Sequence, residues 1–177
     1  MTRMTSGRTR HRPVTVQDAA ALCSLADGET GRLLLSADLR TEEMAVHFIR
    51  ALNTQQWAIP RIIDNDGVAE GLCFCADIEQ RNLCARLVAV FASPAAGGGH
   101  LRRYVHDLMW ALPYHRVYSL VPWSLPDLRK TYENAGFLAE GVMRDHYVYG
   151  DCLEDAAVFG LLRPEFFAAS KPDELGD

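Results

Sequence analysis

The last third of the chain constrains the fold more than any other segment. A helical pattern ends in Tyr132-Glu-Asn-Ala-Gly-Phe137, where Gly136 is a typical helix stop. Two long extended segments follow, 137–149 and 152–162, and they meet at Gly150-Asp151. The sequence therefore predicts a short helix followed by a long hairpin.

The overall composition fits one globular domain. The chain has 177 residues, of which 49% are apolar and 23% charged, so it can bury a core without disulfides or a structural metal. Its net charge of −5 argues against a general nucleic-acid-binding surface, and no apolar run approaches a membrane helix. We expect a flexible basic tail over 1–11, a single domain over 12–168 and an acidic tail over 169–177.

The cysteines do not form a zinc or redox motif, because the five of them lack paired Cys-x-x-Cys spacing. Cys73 and Cys75 lie two apart, which on a strand places both thiols on one face, as a metal or disulfide pair would require. We favour the alternative, small buried apolar residues on a core strand. The sequence predicts a reduced cytoplasmic compartment and no metal site.

Hydrophobic periodicity places the other elements. A first strand is predicted at 13–16, followed by a helix capped by Asp18 and a second helix starting at Thr41, with Met44 in its buried stripe. Asn65-Asp66-Gly67 predicts a hairpin turn, and the apolar run 87–91 predicts a central strand. A helix after three glycines, a strand at 117–121 and a helix opening at Pro126 complete the order.

This order, together with the segment from Tyr132 to Leu162 and its Arg144-Asp145-His146 triplet, resembles the GNAT superfamily of N-acyltransferases. Within that superfamily it is most similar to the branch that acetylates the N-terminal alanine of ribosomal proteins. The resemblance implies an α/β (α+β) fold with a mixed, mostly antiparallel central sheet flanked by helices. It also implies acetyl-CoA as co-substrate and direct acyl transfer to a small-molecule amine or a peptide N-terminus.

In the GNAT fold a central strand leads into a loop and a helix whose N–H groups hold the pyrophosphate of the coenzyme. Unpaired N–H groups and the helix dipole both favour an anion there. The resemblance assigns the following residues to acetyl-CoA: Phe91, Ala92, Gly97, Gly98, Gly99, His100, Leu101 and Arg102.

The loop departs from the family signature, which is Arg or Gln, two residues, Gly, one residue, then Gly or Ala. Aligned on Ser93-Pro94 without a gap, Gly97, His100 and Arg102 occupy the three defined positions. A shift by one residue recovers Gly99 but leaves Ala96 first and Leu101 last. Neither register completes the motif, so we expect a degenerate acetyl-CoA loop.

Amide formation requires a neutral amine and an acid for the leaving thiolate. The resemblance places Tyr132 at the position of that acid, with core packing as the alternative role. Where related enzymes carry a glutamate at the start of the central strand, this chain has Arg86, which cannot act as a base. Glu79 is the nearest acidic candidate, or else a solvated turn residue. Leu125 replaces an asparagine often found seven residues before the tyrosine.

His146 is a third catalytic candidate. Strand alternation places Arg144 and His146 on one face and Asp145 on the other. Because histidine titrates near neutrality, His146 could handle protons beside the acceptor, or it could be a hydrogen-bonded strand residue.

Two further hypotheses stay open. The fold could carry a degenerate coenzyme site repurposed as a pathway-specific non-acetyltransferase enzyme or a ligand-binding protein. Alternatively, the chain could be an interaction module, forming a homodimer through sheet edges near the final hairpin.

Overall fold

A computed structural model describes residues 9–35, 39–94, 97–149 and 151–169. Within these ranges seven strands form one sheet in the order β1-β2-β3-β4-β5-β7-β6. The strands are β1 (Thr9–Pro13), β2 (Arg61–Asn65), β3 (Val68–Glu79), β4 (Cys84–Phe91), β5 (Arg116–Pro122), β6 (Leu138–Tyr149) and β7 (Cys152–Leu162).

Helices flank this sheet. They are α1 (Ala19–Asp27), α2 (Glu29–Leu34), α3 (Glu42–Thr54), α4 (Gly98–Ala111), α5 (Pro126–Asn134) and α6 (Arg163–Ala169). Helices α1 and α3 pack together, as do α4 and α5, and α2 packs against β4. Their apolar faces and the sheet enclose one continuous core.

Strand pairing is antiparallel everywhere except between β4 and β5, which run parallel. This confirms the predicted fold class, a mixed and mostly antiparallel sheet flanked by helices. The predicted hairpin is also confirmed: Asp66 and Gly67 both adopt positive φ, 49° and 89°, as a two-residue turn between β2 and β3 requires. The side chain of Thr41 caps α3 by accepting the Met44 N–H at 3.3 Å.

Four details of the predicted elements are wrong. Asp18 stands at the N-cap of α1, but its side chain makes no cap hydrogen bond to that helix. The first strand lies at Thr9–Pro13 and not at 13–16, so residues 9–11 belong to the sheet and not to a tail. Arg12 holds this strand in place through ion pairs to Asp64 and Asp18. Met44 is 41% exposed and lies outside the buried stripe of α3. Helix α2 was not predicted at all.

The predicted tail segments 1–8 and 170–177 lie outside the described residues, and the division into tails and a single domain remains a prediction. No helix in the described ranges is long and apolar enough to cross a membrane.

Candidate functional site

The central feature of the candidate site is a fork between β4 and β5. The two strands pair over only three residues each, from Cys84 to Arg86 on β4 and from Arg116 to Tyr118 on β5. Beyond that point β4 continues to pair with β3, and β5 continues to pair with β7 on its far side. The edges that face each other therefore separate, and they leave a wedge-shaped opening in the middle of the sheet.

Ser119 closes the apex of this fork. It follows the last paired residue of β5, and its hydroxyl donates a 2.9 Å hydrogen bond to the carbonyl oxygen of Leu87 on β4. Ser119 is 2% exposed. A side chain thus replaces the ladder hydrogen bond at the residue where the strands part.

Tyr132 lies above the same point. Its ring stacks on Phe159 at 5.9 Å and meets Phe137 edge to face at 5.1 Å. Phe159 is the β7 partner of Ser119 in the sheet register, so Tyr132 and Ser119 share one side of β5. The ring therefore packs as a core residue would, as in the alternative role given for Tyr132 above. This packing does not explain the buried hydroxyl.

Tyr132 as a whole residue is only 1% exposed. No hydrogen bond to its hydroxyl is found among the described residues. A buried hydroxyl without a partner costs about 1–3 kcal/mol. Burial raises the pKa of Tyr132 far above its usual value, and the nearby Ser119 hydroxyl opposes that shift only in part. At neutral pH the side chain is a protonated phenol that can donate a hydrogen bond or a proton.

The loop between β4 and α4 forms a second part of the site. It borders a cavity of about 100 Å³, which is lined by Glu70, Phe91, Ala92, Ser93, Gly97 and His100. The Thr131 hydroxyl of α5 donates to the Pro94 carbonyl at 2.8 Å and fixes the loop against the helix that carries Tyr132. Residues 95 and 96 lie outside the described ranges.

Among the residues predicted to bind the coenzyme, Phe91, Ala92, Gly97 and His100 meet at this cavity. A side chain at Gly97 would lie 2.8 Å from the Phe91 ring, so glycine is required there. Gly98 and Gly99 form the first turn of α4 with His100, where N–H groups lack helical acceptors. Arg102 is exposed on the same helix.

Leu101 is not brought to the cavity. Its side chain is fully buried in the core, and its N–H donates to the Gly97 carbonyl at 2.8 Å. This residue supports the loop by packing and has no free backbone donor to offer a ligand.

The two candidate bases are both exposed. Glu79 is the last residue of β3, where its carboxylate accepts a 2.7 Å hydrogen bond from Asn82 in the following turn. His146 packs its ring against Tyr147 at 4.8 Å. The predicted alternation at this triplet is wrong, because Asp145 has a φ of 53° and the strand bulges between Met143 and Tyr147.

An acidic hollow of about 440 Å³, which sequence reasoning missed, lies between α2, the loop after β5 and strand β7. Its lining residues are Asp27, Glu29, Arg32, Leu33, Ser124 and Glu154. Arg32 pairs with Asp27 at 2.7 Å, and Glu154 accepts the Ser124 N–H at 2.6 Å. Three carboxylates against one guanidinium make the hollow complementary to a cation. Its residues come from segments far apart in the chain, so no local motif could reveal it.

Arg86 lies at the last paired position of β4 and forms an ion pair with Asp77 at 2.6 Å. In the described part of the chain, no group of three or more His, Cys, Asp or Glu side chains is arranged to hold a metal ion. Cys73 and Cys75 are both fully buried, and burial raises the pKa of each thiol. They behave as small core residues.

Comparison with known proteins identifies the fold. No family model and no curated protein matches the sequence. Among solved structures, a spermidine N-acetyltransferase chimera of Vibrio cholerae SpeG and hSSAT is similar, with a TM-score of 0.74 and 14% identity over 90% of this chain and 98% of that one. A probable acetyltransferase is also similar, with a TM-score of 0.75 and 22% identity over 91% of this chain and 96% of that one. A third similar structure is an N-acetyltransferase from Staphylococcus aureus Mu50, with a TM-score of 0.72 and 12% identity over 88% of this chain and 99% of that one.

The chain therefore has the GNAT fold of acetyltransferases. At these identities the likeness concerns the fold. It does not distinguish the branch that acetylates ribosomal N-terminal alanine from other branches.

Proposed function

We propose that the chain is an acyl-CoA-dependent N-acyltransferase that uses acetyl-CoA. The observation that carries this proposal is the Tyr132 hydroxyl, which is buried beside Ser119 at the apex of the β4–β5 fork and has no hydrogen-bond partner among the described residues. A protonated phenol held beside an open strand edge suits a leaving thiolate, which needs a proton donor.

Most of the residues predicted to bind the coenzyme would suit an acyl-CoA. The thioester arm would lie in the fork, and the N–H groups of Gly98, Gly99 and His100 at the start of α4 would face the pyrophosphate. Phe91, Ala92 and Gly97 would line its path, and Arg102 would add positive charge nearby.

The transfer step balances without a further reactant. The neutral amine attacks the thioester carbonyl carbon, so a C–N bond forms and the C–S bond breaks. The Tyr132 hydroxyl gives its proton to the departing sulfur, the amine proton passes to a base, and a proton then returns from that base through solvent to the Tyr132 oxygen. His146 and Glu79 remain the candidates for that base, and both are exposed and can exchange protons with solvent.

The acceptor is a small-molecule amine or a peptide N-terminus that enters from the acidic hollow. Asp27, Glu29 and Glu154 would attract a protonated amine towards the fork. This charge pattern suits a polyamine and an N-terminal α-amine equally. The prediction of a ribosomal N-terminal alanine therefore stays one of several candidates.

One observation favours the alternative of a repurposed, non-transferase site. Glu70 lines the loop cavity, where a carboxylate would repel a pyrophosphate. Its side chain accepts a 2.8 Å hydrogen bond from Asn65, which holds the carboxylate in place. A degenerate loop that no longer binds coenzyme A would fit this arrangement.

Calorimetry with coenzyme A and acetyl-CoA tests the two readings. We expect binding of both. Absence of binding at millimolar concentration would remove the acyltransferase proposal and favour the repurposed site. Release of free thiol from acetyl-CoA in the presence of a polyamine or an alanyl peptide would then identify the acceptor class. Gly97→Ala, which places a methyl group against Phe91, should abolish coenzyme binding.

A homodimer through the final hairpin and a cytoplasmic location also remain proposals. β6 is an edge strand, and several large apolar side chains of the hairpin are 40% exposed or more, namely Leu138, Val142, Met143, Val148 and Leu153. Light scattering of the wild-type chain and of Val142→Asp would test the dimer, which the substitution should dissociate.

A further inference from the structure

The edge of β4 that faces the fork is defined by the sheet register. Ala92 donates its N–H to Glu70, and Cys75 donates its N–H to Ala58 on the side away from β4, both at 2.8 Å. Together with the register, these bonds make Gly71–Phe91 and Cys75–Leu87 non-hydrogen-bonded pairs of the β3–β4 ladder. The backbone groups of Leu87, Ala89 and Phe91 must therefore point away from β3, towards the fork.

Hydroxyl groups occupy this edge at both ends. Ser119 binds the Leu87 carbonyl at the apex. At the mouth of the fork the Thr30 hydroxyl donates to the Phe91 carbonyl at 2.9 Å and accepts the Phe91 N–H at 3.3 Å. Between them, no hydrogen bond to the N–H or C=O of Ala89 is found in the described part of the chain.

Thr30 is therefore bonded to the strand as a peptide group of a neighbouring strand would be. It satisfies a donor and an acceptor of the same residue, is itself 1% exposed, and comes from 61 residues earlier in the chain. A donor arm with secondary amides, extended along β4, would need the same two groups of Phe91.

We propose that Thr30 and an amide of the acyl donor compete for the backbone of Phe91, so that Thr30 sets how tightly the donor arm binds. This inference rests on the proposed function, because it assumes that an amide-bearing thioester arm enters the fork. Ala89 offers the arm its first free backbone pair, and Phe91 becomes available when Thr30 is displaced.

Displacement of Thr30 also affects the acceptor side. Helix α2 places Thr30 against β4 and places Glu29, Arg32 and Leu33 along the acidic hollow. Gly31 sets the helix tightly on α1, where any side chain would meet the Leu25 carbonyl. A movement of Thr30 therefore changes the wall of the hollow.

Thr30→Val tests the competition, because valine keeps the shape and removes the hydroxyl. Calorimetry should show coenzyme A binding about tenfold more tightly to Thr30→Val than to the wild-type chain, since the arm no longer replaces two existing hydrogen bonds. Thr30→Ser keeps the hydroxyl and should bind as the wild type does. Adenosine 3′,5′-diphosphate, which lacks the amide arm, should bind all three proteins equally.

Equal or weaker coenzyme A binding by a folded Thr30→Val protein would overturn the inference and leave the proposed function intact. A wild-type chain that binds neither coenzyme A nor adenosine 3′,5′-diphosphate would overturn both.

Amide hydrogen exchange on the wild-type protein gives a second test that needs no variant. Coenzyme A should slow exchange at Ala89 and accelerate it across α2, because Thr30 is released. Protection of Ala89 with unchanged or slower exchange in α2 would show that the arm and Thr30 bind together, which contradicts the competition.

Discussion

Ser119 and Leu87 join β5 to β4 at the residue where the two strands separate, through a buried 2.9 Å hydrogen bond from the hydroxyl to the carbonyl. Ser119→Ala leaves the Leu87 carbonyl buried without this partner, so we expect a loss of about 1–3 kcal/mol in the free energy of unfolding. The proposed acyl transfer should also fall, because the apex no longer fixes the position of β5 below Tyr132. Urea unfolding and steady-state kinetics measure the two effects.

The matched control for this variant is Ser24→Ala. Ser24 also donates to a carbonyl, that of Ala20 at 3.2 Å, but on an exposed helix face. Its loss should change stability by less than about 0.5 kcal/mol. Equal effects of the two variants would contradict a special role for the fork.

Tyr132→Phe separates catalysis from packing. The ring contacts with Phe137 and Phe159 persist, and the deleted hydroxyl makes no hydrogen bond to any described residue, so stability should be unchanged or slightly higher. The rate of acyl transfer should fall on the order of 10²-fold or more, with the Kd for coenzyme A retained. Thermal unfolding, calorimetry and kinetics on one preparation decide the matter.

Tyr104→Phe is the matched control for Tyr132→Phe, and we expect it to change stability and not turnover. The Tyr104 hydroxyl is buried and donates to the Ile59 carbonyl at 2.9 Å. Removing it should lower stability by about 1 kcal/mol and leave turnover near the wild-type value. If Tyr132→Phe behaved in the same way, Tyr132 would be a core residue only.

The sequence predicts those parts of the fold that depend on local chemistry. Asn65-Asp66-Gly67 determines its own turn, and Thr41 caps its own helix. Helix α2 depends on tertiary contacts instead: it has six residues with a glycine inside, and Gly31 is helical because it packs on α1. Local propensity could not reveal it.

The same distinction applies to the site. Tyr132 is predicted as a catalytic residue through the order of a helix end, a glycine and a hairpin, which resembles the GNAT pattern. Ser119 leaves a weak signal, as a hydroxyl inside the apolar strand 117–121. Thr30 leaves none, because its partner Phe91 is 61 residues away and only the folded sheet brings the two together.

Gly160 lies directly beneath a neighbouring ion pair. Arg116 on β5 reaches across β7 to Glu140 on β6, with a 2.7 Å hydrogen bond from one guanidinium nitrogen, and the Glu140 carboxylate lies over the Cα of Gly160. Gly160→Ala should lower stability by about 0.2–1 kcal/mol, because the added methyl group displaces the flexible end of Glu140 and weakens its exposed ion pair with Arg116. In a Glu140→Ala background the same change should cost less, and a double-mutant cycle measures the difference.

Gly99→Ala is the control for the glycine change itself. A side chain there meets no atom within 4 Å, and the position is helical, so stability should rise or stay constant. Additive effects of Gly160→Ala and Glu140→Ala would show that the carboxylate does not require the glycine.

His11 should make stability depend on pH between about 4 and 6.5. Burial, together with the positive groups His100, Arg103 and Arg61, lowers the pKa of His11 to about 4, and Asp107 offsets this only in part. As the pH falls, the unfolded chain therefore protonates His11 at a higher pH than the folded chain does, because the pKa of an unperturbed histidine is about 6.5. The stability that neutral His11 contributes is complete above that value and is lost as pH falls towards 4.

Urea unfolding at pH 7 and pH 5 should show a larger loss for the wild-type chain than for His11→Gln. This window lies above the range in which Asp18 and Asp64, whose pKa values are lowered, take up protons. For Asp18, hydrogen bonds from Arg12 and Thr15 outweigh the effect of burial. For Asp64, the Gly67 N–H and Arg12 lower the value. An NMR titration of the His11 ring with a midpoint near 6.5 in the folded protein would contradict the prediction, because folding would then not change its proton affinity.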